Sequence, residues 1–105
     1  MDELVNMIKE MNIPFAYNHF AEGDVVDPPF ICFLFPGSDN FSADGIVYFK
    51  INEVHIELYT DVKSPKIENK VEAVLDKHGI FYNKTKTWIE DEKLYEVLFS
   101  FEMEE

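Results

Sequence analysis

Arginine is missing from this sequence of 105 residues, and acids outnumber lysines 21 to 9, giving a formal net charge of −12. Arginine is the side chain best shaped to grip phosphate through paired hydrogen bonds, and a strongly negative field repels a polyanion. The composition argues against binding to a nucleic-acid backbone and against attachment to an anionic membrane. Cysteine occurs once. Cys32 therefore has no internal disulfide partner, and within the apolar run PFICFLF it reads as a small buried hydrophobe with a raised pKa, the reverse of an activated nucleophile. No stretch approaches the roughly 20 apolar residues of a membrane span, and no basic leader followed by a long apolar run opens the chain. The expectation is a protein that folds in a cytoplasm. Nucleotide-binding G-x-x-x-x-G-K-[ST] and G-x-G-x-x-G patterns are lacking, and Ser38 and Ser42 stand outside any G-x-S-x-G elbow. There is no internal repeat, low-complexity tract or dividing linker, so residues 1–105 read as a single domain.

What is present is material for a core: 47% of the residues are hydrophobic and 15% aromatic, which argues against wholesale disorder. A chain this short leaves much of its surface exposed, so some aromatic surface is available for an oligomer contact. The chain is organised around residues 45–78. Val54, Ile56 and Leu58 alternate with Glu53, His55, Glu57 and Tyr59, the pattern of a half-buried strand. Ser64 can cap a helix that begins at Pro65, and Ile67, Val71, Val74 and Leu75 form one stripe at helical spacing. Lys77 and His78 suit the negative end of the helix dipole, and Gly79 supplies the left-handed residue that stops the helix.

Residues 1–11 predict a short amphipathic helix with Leu4, Met7, Ile8 and Met11 on one stripe, ended by Ile13-Pro14. Residues 15–20 alternate weakly, as a short first strand would. Residues 21–29, with one glycine, two prolines and three acids, read as a loop. Residues 30–35 are apolar without alternation, the mark of a strand covered on both faces and placed centrally. Residues 36–44 carry loop chemistry, with Phe41 borne outward, and Asp44-Gly45 is a turn signal. Residues 46–60 form one long strand, or two joined by a bulge near Ile51. After the helix, residues 80–89 place Lys84, Lys86 and Trp88 opposite Thr85, Thr87 and Ile89, and residues 94–101 return as a further strand. The order α-β-β-β-α-β-β predicts an α+β fold: a mainly antiparallel sheet of four to five strands with both helices packed on one side.

Candidate chemistry is sparse. His55 and Glu57 spell H-x-E, but the P-C-x-x-C of a zinc deaminase is missing, and on a strand the two are polar-face neighbours. His19, Glu22, Asp24 and Asp27 could gather round a hard cation, yet they do not fit a calcium loop, and a solvated acidic loop is the preferred reading. Pairs such as Glu53 and Glu57 arise by chance among 21 acids. Trp88 reads as cover for a sheet edge before it reads as an interface anchor, and Phe41 is the better interface candidate. The expectation is a non-enzyme without cofactor or metal.

Several segments together resemble the small tail-assembly proteins of long-tailed phages and prophages of Gram-positive bacteria, the tail-terminator, tail-completion or head–tail joining group. They are the junction Glu57-Leu58-Tyr59-Thr60-Asp61, the helix with Glu68 and Glu72, Gly79-Ile80-Phe81-Tyr82, and the closing Trp88-Ile89-Glu90 to Tyr95-Glu96-Val97. The opening Ile13-Pro14-Phe15-Ala16-Tyr17 and the approach Pro28-Pro29-Phe30 fit as well. The resemblance implies a subunit that joins copies of itself in a ring, a hexamer, at the head-proximal end of the tail, with the major tail tube protein and a head-completion protein as partners. DNA would pass through such a ring without specific binding, and the protein would assemble in the host cytoplasm and end in the virion tail. The resemblance carries no active site. On this reading Glu22, Asp24 and Asp27 of the first loop, with Asp39, Phe41 and Asp44 of the second, face the lumen or a neighbouring subunit. The alternative is an acidic decoy that mimics DNA to inhibit a host nuclease or restriction enzyme. Its carboxylates would be expected in rows at phosphate spacing, whereas these acids are scattered.

Overall fold

The alternating residues 52–60 become the middle of a five-stranded sheet in the computed structural model, which describes residues 2–19, 26–43 and 46–104. Two helices and five strands follow one another as α1 (Asp2–Glu10), β1 (Phe15–Tyr17), β2 (Phe30–Ala43), β3 (Ile46–Thr60), α2 (Pro65–Lys77), β4 (Asn83–Ile89) and β5 (Leu94–Glu104). The strands lie side by side in the order β1-β2-β3-β5-β4. Every pairing is antiparallel except β1 with β2, which is parallel. The α+β class and the element order agree with the sequence reading.

Register explains why one face is sealed. Leu58 of β3 lies between Ile31 of β2 and Val97 of β5, and Ile56 between Phe33 and Phe99. All six are buried, and because side chains alternate along a strand they share one face. Leu4, Met7 and Ile8 of α1 and Val71, Val74 and Leu75 of α2 join the same core cluster, so both helices cover that face. Apolar area buried there is the main stabilising term, at roughly 25 cal/mol per Å².

Local signals set the helix ends. The Ser64 hydroxyl accepts from the Ile67 amide at 3.3 Å, Pro65 begins α2, and Gly79 follows its C-terminus at φ +69°. For α1 the stop is Asn12 at φ 56°, one of the few non-glycine residues at ease in the left-handed region, so the helix ends before Pro14 could end it.

The second expected loop is a correction. Residues 36–43 continue β2 instead, paired across to β3 as far as Ala43 opposite Ile46. Pro36 and Gly37 are absorbed by a bulge: three steps from Leu34 to Gly37 face two steps from His55 to Glu53. A bulge tolerates a residue without an N–H, and long cross-strand pairing overrides the local turn chemistry. A second shift at Phe41/Ser42 places the extra residue on β3. β3 itself is one unbroken strand, and Ile51 sits in regular register opposite Asp39. Asp44 and Gly45, the expected turn, lie outside the described residues.

One polar group inside the fold was not anticipated. Glu68, 4% exposed, sits on α2 and receives Lys84 Nζ at 2.7 Å and Lys86 Nζ at 3.0 Å from β4. Burial by itself raises its pKa, but the hydrogen bonds from the two ammonium groups outweigh burial and hold the carboxyl below its ordinary value of 4.5. A depressed acid pKa stabilises the fold above the unfolded value, and that contribution is lost as pH falls through the folded one. Glu68→Gln should cost about 1.5–3 kcal/mol at pH 7. In urea melts the difference from wild type should shrink as pH falls below 4.5.

Candidate functional site

The face of the sheet turned away from the helices is the open side of the molecule. By register it carries Phe30, Cys32 and Leu34 of β2, Glu57 and Tyr59 of β3, and Glu96 and Leu98 of β5. Tyr59 lies opposite both Phe30 and Glu96, and its ring stacks on that of Phe30 with centroids 5.1 Å apart at 23°. Beside this stack is a cavity of about 300 Å³ bounded by Asn18, His19, Phe30, Cys32, Tyr59 and Glu92. Asn18 is held at the end of β1 by the hydrogen bond that its backbone N–H donates to the Phe33 carbonyl, 2.7 Å, and adopts φ 65°.

Electrostatics at this place run one way. The Tyr59 hydroxyl donates to Glu57 Oε1 at 3.2 Å, and burial, followed by the Glu57 and Glu96 charges, pushes the phenol pKa up. Burial and then Glu57 likewise push up the Cys32 thiol. His19 lines the same cavity, but no hydrogen bond joins it to Cys32, so nothing here draws the thiol towards thiolate. Glu96 is half-buried and has no hydrogen bond or ion pair among the described residues. Its pKa is raised by burial first and then by Glu57 and Glu92, with His55 offsetting in part.

The residues singled out from sequence are not gathered in one place. Glu22, Asp24 and Asp44 lie outside the described residues. Asp27 is exposed just before β2, while Asp39 and Phe41 occupy its far half, opposite Ile51 and Phe49, with side chains outside the described set. From Phe30 to Asp39 the strand runs on the order of 30 Å, so the two segments stand at opposite ends of β2. His55 Nε2 is 3.2 Å from Glu53 Oε1 and Glu57 serves Tyr59, so the H-x-E residues act as strand neighbours. No group of three or more His, Cys, Asp or Glu among the described residues is arranged to hold a metal ion. Trp88 packs at 4.6 Å against Tyr95, donates to Glu90 Oε2 at 2.6 Å and stays 42% exposed.

Two features escaped the sequence reading. The Phe30–Tyr59 stack needed the β2–β3 register, which sequence alone does not supply. Phe81, 90% exposed, stands beside a second cavity of about 420 Å³ that Gly79, Asn83 and Glu102 also line. The signal for Phe81 was its position in the short connection between a capped helix and an edge strand, where few core contacts are within reach.

Because folding raises the Glu96 pKa, the folded state holds that proton more tightly than the unfolded chain. Its contribution to stability is therefore greatest below 4.5 and declines as pH rises through the folded value. Glu96→Gln should raise the thermal midpoint at pH 7, and scanning calorimetry should show the gain disappearing below pH 4.5.

No helix among the described residues is long and apolar enough to cross a membrane. Compared with known protein families and with curated proteins, the chain matches none.

Proposed function

We propose that this chain is a structural subunit of a long-tailed phage or prophage tail, forming a ring at the head-proximal end. The ring ends growth of the tail tube and offers a surface to the head-completion protein. Beside the sequence resemblance, the observation that carries this reading is the unequal length of the strands. β2 and β3 run for 14 and 15 residues, whereas β1 spans only Phe15–Tyr17. β1 reaches no further along β2 than Phe33, and β5 no further along β3 than Ile51 opposite Glu104. Residues 40–43 and 46–50 thus form a two-stranded ribbon with no further strand on either side among the described residues. A lone ribbon is marginally stable in water, and its two edges offer unpaired backbone groups. A neighbouring subunit would satisfy both.

The ribbon and its approach also carry little net charge. Residues 36–50 hold Asp39, Asp44 and Lys50, a net −1 out of −12. Copies that repel one another elsewhere can approach there. The remaining acids then suit a channel through which DNA slides without being held.

Light scattering across a range of concentration and salt should give a monomer at low concentration and a ring mass, six copies, when concentrated or when tail tubes are added. Phe41→Glu should leave a monomer with an unchanged thermal midpoint. A wild-type chain that stays monomeric at all concentrations and ignores the tubes contradicts the proposal. Tight capture of a basic nuclease by that monomer would favour the decoy reading in its place.

A further inference from the structure

Charge is sorted across the sheet. Lys84 and Lys86 of β4 point to the helix side, where they meet Glu68 and Glu72. Lys77 holds Glu10 on α1, and Lys63 lies 5.8 Å above the ring of Tyr95, which shares the helix-side face with Val97. On the open face the register positions from Phe30 to Leu34, from Ile51 to Tyr59, along β4, and along β5 as far as Glu102 hold four glutamates and no lysine. Lys77, Lys84 and Lys86 are therefore engaged on the helix side.

Around the cavity the imbalance is sharpest. Glu57, Glu92 and Glu96 surround the Phe30–Tyr59 stack, and the half-buried Glu96 carboxylate has no hydrogen bond or ion pair among the described residues. Like charges held together at partial burial raise the free energy of the unbound protein. An aromatic wall with carboxylates beside it is the setting in which a cationic side chain is well bound, through ring faces and ion pairs at once. The size of the cavity, about 300 Å³, suits one such side chain. The acidic field does not stop at the cavity: Glu53 and Glu102 lie opposite each other roughly 13 Å further along the strands, with half-buried Leu34 and Leu98 between. An occupant complementary to the whole face is longer than a free amine and is both basic and apolar.

We propose that the open sheet face is a docking surface for a basic, partly apolar segment of a protein partner, with one lysine or arginine side chain entering the cavity between Phe30, Tyr59 and Glu92. This goes beyond the ring reading and stands independently of it, since the ribbon and this face are different parts of the sheet. Nucleic acid and anionic lipid are repelled by the same carboxylates.

The test uses the full chain labelled with 15N, titrated with a synthetic amphipathic peptide of lysine, leucine and alanine, and separately with spermidine. Amide shifts are expected to cluster at Phe30, Tyr59 and Leu98, with saturable binding to the peptide and weaker binding to spermidine. Glu57→Lys should weaken the peptide about tenfold. The paired change Glu57→Gln with Glu96→Gln should do the same, which keeps the test intact if the charge reversal fails to fold. Glu3→Lys on α1, the control for overall charge, should leave the affinity within about twofold. Shifts spread over the helix side, equal weakening by Glu3→Lys, equal affinity for spermidine, or no binding would each overturn the proposal.

Discussion

The packing of Val54, Ile56 and Leu58 against both helices is the constraint on which the rest of the molecule depends. These three side chains sit on the middle strand, so their direction fixes which face of β2 and β5 turns inward. Ile31, Phe33, Val97 and Phe99 then have to be apolar, and α1 and α2 have to lie on the same side to cover them. Slipping β3 by one residue would send Glu53, His55 and Glu57 into the core. The sealed side is over-determined, and the open side is what that choice leaves to water or to a partner.

Electrostatics reinforce the division. Glu68 could be carried inside only because β4 brings two lysines to it, which ties the edge strand to α2 and directs cations to the helix side. Inward-pointing charge on an edge strand also discourages pairing with a stray chain. β4 is thus a guarded edge, whereas the ribbon of β2 and β3 beyond Ile51 is unguarded. The proposed ring contact lies where the backbone edges of β2 and β3 have no further strand among the described residues, and the proposed docking face where carboxylates gather on one side of the sheet.

Much of this was legible in the chain because the decisive signals were local. Ser64, Pro65 and Gly79 marked the ends of α2, and period-two alternation marked β3, both through geometry that neighbouring residues settle among themselves. The far half of β2 was not legible. Pro36, Gly37 and Asp39 are turn residues by local chemistry, and only pairing with a strand fifteen residues long makes them part of a sheet. The buried Glu68 was hidden for the same reason: its lysines arrive from β4, beyond the rest of α2 and the connection that follows it. Of the candidate interface residues, Asp27 is seen exposed and Asp39 and Phe41 are placed on β2, while the cavity beside Tyr59 depended on register and had no sequence mark.

One sheet face is sealed by intrachain packing, and the ribbon is proposed to depend on a neighbouring copy. Amide hydrogen exchange, measured residue by residue on dilute and on concentrated protein, tests it most directly. The amides of Ile56, Leu58, Val97 and Phe99 should be the slowest to exchange at both concentrations, and those of residues 40–42 and 47–50 should slow markedly only in the concentrated sample. Equal protection of the ribbon at both concentrations, or faster exchange in the central strands than in the ribbon, would contradict it.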